Sequence, residues 1–133
     1  MSTHERARRL TIYVGETDQW HHRPLFVEIV HRAFTAGLAG ATALRGLEGY
    51  GGTNQIHTLR LLSLSENLPV AVTIIDTPER IDAFLPTLDE VMTAGMATLE
   101  DVDVIHYSRQ TPPHRFSWGL SAHQREDDLT GST

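Results

Sequence analysis

Apolar and polar residues alternate from Leu10 to Val14, where Leu10, Ile12 and Val14 are separated by Thr11 and Tyr13. A period of two predicts a half-buried β-strand. Beyond a loop over 15–22, Pro24 sits at a first helical position. Leu25, Phe26, Ile29, Val30, Ala33 and Phe34 then recur at helical spacing as far as Gly37, which predicts an amphipathic helix. Ala41 to Leu47 reads as a second strand, and the run Gly49-Tyr50-Gly51-Gly52-Thr53-Asn54 interrupts regular structure. Ile56 to Leu64 is apolar enough for an additional strand, which Ser65-Glu66-Asn67-Leu68-Pro69 brings to an end. Val70 to Ile75 is almost continuously apolar, as in a strand buried on both faces.

Asp76-Thr77-Pro78-Glu79 opens a second helix, with Thr77 as its N-cap, Pro78 at N1 and Glu79 favoured by the helix dipole. Ile81, Phe84, Leu85, Leu88, Val91 and Met92 share one face, and Pro86 within that stripe predicts a kink or restart. Thr98 to Tyr107 supplies the final strand. The order β-α-β, long loop, β-α-β is the α+β, ferredoxin-like βαββαβ plan, an antiparallel sheet with two helices on one face. The other face would carry Tyr13, Leu44, Ala71, Ile75, Ile105 and Tyr107. A small domain rarely leaves such a face wet, so self-association through the sheets is expected, with Tyr13, Leu44, Ile75 and Ile105 near its core. The expected organisation is a flexible N-terminal arm over 1–7, one domain over 8–107, and a polar C-terminal tail over 108–133 that docks late, if at all, through Phe116 and Trp118.

Composition narrows the chemistry. The 133 residues are 40% hydrophobic and 21% charged, the profile of one soluble globular domain. No window reaches the roughly 18 apolar residues of a membrane span, and the polar start has no apolar run behind it, so a cytoplasmic protein without membrane insertion is expected. The chain has no cysteine, which excludes disulfides, thiolate nucleophiles and cysteine-ligated metals. All eleven basic residues are arginines. Without lysine there is no Schiff base and no Walker A loop. A net charge of −6, with the arginines dispersed, leaves no stripe for nucleic acid beyond the short Arg6-Arg8-Arg9 cluster, which reads as a solvated N-terminal arm.

Arg45, Glu48, Tyr50, His57 and Arg60 flank the glycine-rich turn. Glycines let backbone N–H groups approach an anion, arginine offers a bidentate fork, and tyrosine can stack on a base. The candidate ligand-binding set is therefore Arg45, Glu48, Gly49, Tyr50, Gly51, Gly52, His57 and Arg60, set against a hairpin that merely carries solvated charges. Eight histidines invite a metal reading, but the neighbours His21 and His22 point opposite ways on an extended segment and no His-Glu-x-x-His spacing occurs. Trp20 is expected to pack over the start of the first helix. Asp101 and Asp103 mark the solvated side of the last strand, and no Gly-x-Ser-x-Gly elbow is present. No catalytic residue, metal or cofactor is assigned.

Gly40-Ala41-Thr42-Ala43-Leu44-Arg45-Gly46-Leu47-Glu48-Gly49-Tyr50-Gly51 resembles the entry to the T-loop of PII signalling proteins, with one extra residue, and Leu68-Pro69 with Val70 to Asp76 resembles its exit. Together with Tyr13-Val14-Gly15-Glu16, Ala39-Gly40-Ala41-Thr42, Arg45-Gly46 and Ile56-His57-Thr58, these motifs resemble the PII-like family catalogued as domain of unknown function 190, over about residues 8 to 107. The resemblance implies a ferredoxin-like homotrimer with ligand sites in intersubunit clefts and a loop that contacts partners. It also implies a membrane transporter or channel as the regulated partner. Where PII proteins carry their phosphate-binding Gly-Asp-Gly-Lys and Arg-Thr-Gly-Glu stretches, this chain has Ala94-Gly95-Met96-Ala97-Thr98 and Tyr107-Ser108-Arg109-Gln110, so ATP binding in the PII manner does not follow. The expected function is a non-enzymatic regulator that binds a small anionic effector, a nucleotide among the candidates. Arg45 and Arg60 would hold the anion, the 49–52 backbone would line it, and Tyr50 or His57 would touch the organic part. The alternatives are a small enzyme with His57 as general base oriented by Glu48, and a structural partner with no ligand.

Overall fold

Residues 2–50, 57–58 and 67–107 are described by the computed structural model of the chain. The strand built on Leu10, Ile12 and Val14 spans Ser2–Gly15 (β1). A small hairpin of Gln19–Trp20 (β2) and Arg23–Pro24 (β3) leads into the helix Leu25–Thr35 (α1). Ala41–Arg45 forms β4, and Glu48–Gly49 (β5) pairs with His57–Thr58 (β6). Pro69–Asp76 (β7), the helix Pro78–Val91 (α2) and Met96–Tyr107 (β8) complete the order. The main sheet runs β4-β7-β1-β8 with every neighbouring pair antiparallel. With both helices on one face this is the ferredoxin-like α+β arrangement, carrying the two small hairpins as insertions.

The core lies between sheet and helices. Leu10, Ile12 and Val14 of β1 and Val70, Val72 and Ile74 of β7 meet Leu25, Ile29 and Ala33 of α1 and Ile81, Phe84, Leu88 and Val91 of α2. Each helix buries a stripe at i, i+4 or i, i+3 spacing, as the sequence predicts. Phe34, placed in that stripe by its spacing, is instead 70% exposed, because Leu25, Ile29 and Ala33 already fill the face toward the sheet. The Thr77 hydroxyl caps α2 by accepting from the Arg80 N–H at 3.2 Å, with Pro78 just inside. Pro86 does not restart the helix, which is continuous from Pro78 to Val91; its ring lies on the exposed side, where the freed carbonyl meets solvent.

Two expectations need correction. Residues 2–7, expected as a flexible arm, are part of β1 and pair with β8 from Ser2 opposite Tyr107 to Ala7 opposite Val102. The arginines of β1 suit this pairing: Arg6 faces Asp103 at 3.8 Å, Arg8 faces Asp101 at 3.5 Å and Asp82 at 2.8 Å, and Arg9 Nη2 donates to both Glu100 carboxylate oxygens at 2.9 and 3.0 Å. Opposite charges directly across a ladder favour the pair. Asp101 and Asp103 are thus exposed and also matched. The second correction concerns the open face. Leu44 lies opposite Ala71, Ala71 opposite Tyr13, and Tyr13 opposite Met96, so these four form one row across the sheet. Ile105 lies opposite His4 and Tyr107 opposite Ser2, which puts both on the helix-side face; Met96, Val102 and Val104 take the open face in their place. The tail over 108–133, with Phe116 and Trp118, lies outside the described residues.

Candidate functional site

The glycine-rich segment leaves the sheet at Arg45, the last residue of β4, and returns at Pro69, the first of β7. Its root is tied on both sides. The Gly46 N–H donates to the Pro69 carbonyl at 2.7 Å, and the Glu16 N–H donates to the Leu68 carbonyl at 2.7 Å. The Asn67 side chain bridges to the turn after β1: its Oδ1 accepts from the Thr17 N–H at 2.7 Å and its Nδ2 donates to Asp18 Oδ1 at 3.2 Å. Asp18 Oδ2 accepts from the Gly15 N–H at 2.7 Å, closing the turn on itself. Gly46 is required by close approach, since a Cβ there would lie 2.7 Å from the Pro69 ring.

Arg45 Nη1 donates to Glu16 Oε1 at 3.1 Å, with both side chains partly in solvent, so an arginine at the exit of β4 is linked to the 15–18 turn by a pair open to water. Glu48 is exposed on β5, Gly49 follows it, and Tyr50 is 76% exposed. In the β5–β6 ribbon Glu48 is opposite Thr58 and Gly49 opposite His57, which sets Glu48 and His57 at positions of opposite parity. Of the candidate residues, then, Arg45, Glu48, Gly49 and Tyr50 follow one another along the outgoing arm and His57 lies on the returning backbone. Gly51, Gly52 and Arg60 lie outside the described residues, as does most of the extra strand expected over 56–64. Glu16, Asp18 and Asn67, which sequence reasoning did not place in the site, fix the root. Only the polar types in the 15–18 turn hinted at them, because their partners are distant along the chain.

A second polar cluster stands on the helical layer. The Glu28 carboxylate, 7% exposed within the first turn of α1, accepts from Arg23 Nη1 and Arg32 Nε at 3.0 Å each. Arg32 Nη1 also donates to Glu90 Oε2 on α2 at 2.6 Å, and its guanidinium carbon lies 4.9 Å from the Trp20 ring centroid. Trp20 therefore packs against the edge of the core and over Arg32, in the last turn of α1, whereas the sequence suggests the start of that helix. The hydrogen bond from Arg32 holds Glu28 below the usual carboxylate range against the opposing effect of burial, with Arg23 helping, and the acids Glu28 and Glu90 raise Arg32 in turn. Among the described residues no group of three or more His, Asp or Glu side chains is placed to hold a metal ion, and no helix is long and apolar enough to cross a membrane.

A depressed folded-state pKa at Glu28 contributes stability that is complete above the ordinary glutamate range and lost as pH falls through the folded value. We expect wild-type melting temperature to fall as pH is lowered below about 4. Glu28→Gln, which removes the charge but not the shape, should lose about 1.5–3 kcal/mol at pH 7 and less in acid. Equal losses at pH 7 and pH 3 in denaturant titrations would contradict the assignment.

The family model described as DUF190, uncharacterized ACR, COG1993, matches residues 7–104. A UPF0166 protein of Aquifex aeolicus (strain VF5) is 39% identical over 97 residues, covering 73% of this chain and 91% of that protein. A UPF0166 protein of Methanocaldococcus jannaschii is 32% identical over 100 residues, covering 74% and 92%. Among solved structures, the chain is similar to CPII, a nitrogen regulatory PII-like protein from Thiomonas intermedia K12 bound to ADP, AMP and bicarbonate, with a TM-score of 0.52 at 16% identity over 77% of this chain and 91% of that one. It is also similar to a PII-like signaling protein from Thermus thermophilus, with a TM-score of 0.56 at 20% identity over 76% and 91%. At these identities the likeness establishes the fold.

Proposed function

The chain belongs to the DUF190 family and has the PII-like fold, and from that premise we propose that it is a non-enzymatic regulatory protein whose 46–68 segment reports the binding of a small anionic effector. The observation that carries this reading is the water-open Arg45–Glu16 pair at a root otherwise fixed by backbone bonds and by the Asn67 and Asp18 side chains. An incoming phosphate or carboxylate competes with Glu16 for the Arg45 fork, and a charge-assisted bidentate contact favours the ligand when it brings two oxygens. Losing Arg45 frees Glu16, and with it one tie between the segment and the 15–18 turn. Effector occupancy thus becomes a change at the root of the loop. Arg60 supplies the second cation, and Tyr50 or His57 meets the organic part.

Nucleotides and bicarbonate are the first effectors to test, because a protein of this fold binds ADP, AMP and bicarbonate. The assembly is proposed to be a homotrimer acting in the cytoplasm on a partner such as a membrane transporter or channel.

Isothermal titration with ADP, AMP and hydrogencarbonate tests the site. Arg45→Ala and Arg60→Ala should each weaken binding by about 1.5–3 kcal/mol, the range for hydrogen bonds to charged groups. Glu16→Gln, which removes the competing carboxylate, should tighten it. Affinity unchanged in both arginine variants would place the effector elsewhere.

A further inference from the structure

Away from the root of the 46–68 segment, a cavity of about 500 Å³ opens on the helical layer, lined by Arg23, Glu28, His31, Arg32, Thr35, Ala36 and Thr87. Its charged lining is two guanidinium groups against one carboxylate, and that carboxylate is already engaged by both of them. Glu90, outside the lining and largely in solvent, takes a further N–H of Arg32. What remains toward the cavity is rich in donors. Among the described residues Arg23 donates only through Nη1 to Glu28, Arg32 keeps its Nη2 unengaged, and Thr35 and Thr87 add hydroxyls. These donors come from three elements, β3, α1 and α2.

The chain accepts strain to keep this arrangement. The β2–β3 hairpin turns through His21 and His22, both in the left-handed region at φ 47° and 69°, a turn usually made by Asn-Gly or Gly-Gly. Such strain persists where the surrounding structure over-determines it. Here the two flanking positions, Trp20 and Arg23, lie directly opposite each other and straddle α1: Trp20 covers Arg32, and Arg23 reaches Glu28.

We infer that the cavity between β3, α1 and α2 is a second ligand site, selective for the phosphate group of a small phosphorylated metabolite, with Arg23 as its principal contact and Arg32 held in place by Glu28, Glu90 and Trp20. A tetrahedral phosphate offers more acceptor oxygens than a carboxylate, spread out of one plane, so donors from three elements can each reach one while the arginine fork holds two. The site is open toward solvent and leaves the organic remainder room outside these donors. Arg45 does not line this site.

The experiment uses the full chain with Trp118→Phe, which leaves Trp20 as the sole tryptophan and a reporter over Arg32. Its fluorescence is followed on titration with inorganic phosphate, glycerol 3-phosphate and acetate at constant ionic strength held with chloride. The inference predicts a saturable change for the two phosphates and none for acetate. Arg23→Gln should weaken phosphate binding by about tenfold or more, Thr87→Val by a smaller factor, and Arg45→Ala not at all; circular dichroism checks that each variant is folded. A response shared with acetate, a response unaltered by Arg23→Gln, or no saturable response overturns it. Loss of the response in Arg45→Ala also overturns it, by moving the phosphate to the loop site, while leaving the regulatory reading intact.

Discussion

Phe84→Ala is expected to lower folding stability by about 3–5 kcal/mol, the cost of deleting a buried aromatic side chain and leaving the space behind it. Phe84 is 2% exposed in the second turn of α2 and belongs to the same buried cluster as Ile12, Ile29 and Val72, where close packing opposes collapse into the gap. Phe34→Ala, in a residue the sequence places on an equivalent stripe but the fold leaves in solvent, should change stability by no more than about 0.5 kcal/mol. Urea unfolding of the two variants side by side measures the contrast. Similar losses in both would mean that α1 packs with a different face toward the sheet.

Charging the open sheet face should dissociate the assembly. Tyr13 is 42% and Leu44 63% exposed, and together with Ala71 and Met96 they form an unbroken apolar row across all four strands, on the face away from both helices. A continuous apolar face of this kind on a small domain marks an interaction surface. We therefore expect multi-angle light scattering to give a trimer for the wild-type chain and a monomer for the double variant Tyr13→Asp, Leu44→Asp. The helical signal should be retained, because neither side chain reaches the core. A wild-type monomer at micromolar concentration, or a trimer that survives both charges, would remove the face from the assembly.

Much of the scaffold is legible in the sequence because its signals are local. Val70 to Ile75 declares a buried strand by composition alone, and Thr77-Pro78-Glu79 carries cap, first-turn residue and dipole partner within three positions. Residues 2–7 are different. Arg6, with Arg8 just beyond it, looks like part of a solvated arm until the partners appear, and those partners, Asp103 and Asp101, lie at the opposite end of the domain sequence. The face of β8 is similarly hidden: Leu99, Ile105 and Tyr107 argue for one parity, Val102 and Val104 for the other, and only the register against β1 decides. Glu28 sits inside the apolar run Leu25 to Val30, and its (i, i+4) partner Arg32 is visible on the helix, but Arg23 reaches it only through the hairpin. In the candidate site, Arg45 could be singled out by its place beside the glycines, whereas its link to Glu16 and the Asn67 bridge are contacts between segments far apart in the chain.

Hydrogen exchange across residues 49–64, with and without effector, tests the regulatory account most directly. On this reading Gly49, Gly51 and Gly52 would let the entry of the segment move, and Ile56, Leu59, Leu61, Leu62 and Leu64 would supply the apolar surface that is docked or released. A shift between one-to-nine and nine-to-one populations needs only about 2.6 kcal/mol of differential binding, within reach of a single small anion. With saturating ADP, AMP or hydrogencarbonate, whichever binds by calorimetry, the account predicts slower exchange throughout 49–64 and almost no change in Val70 to Ile75. Exchange across 49–64 that is unaltered by an effector shown independently to bind would contradict it.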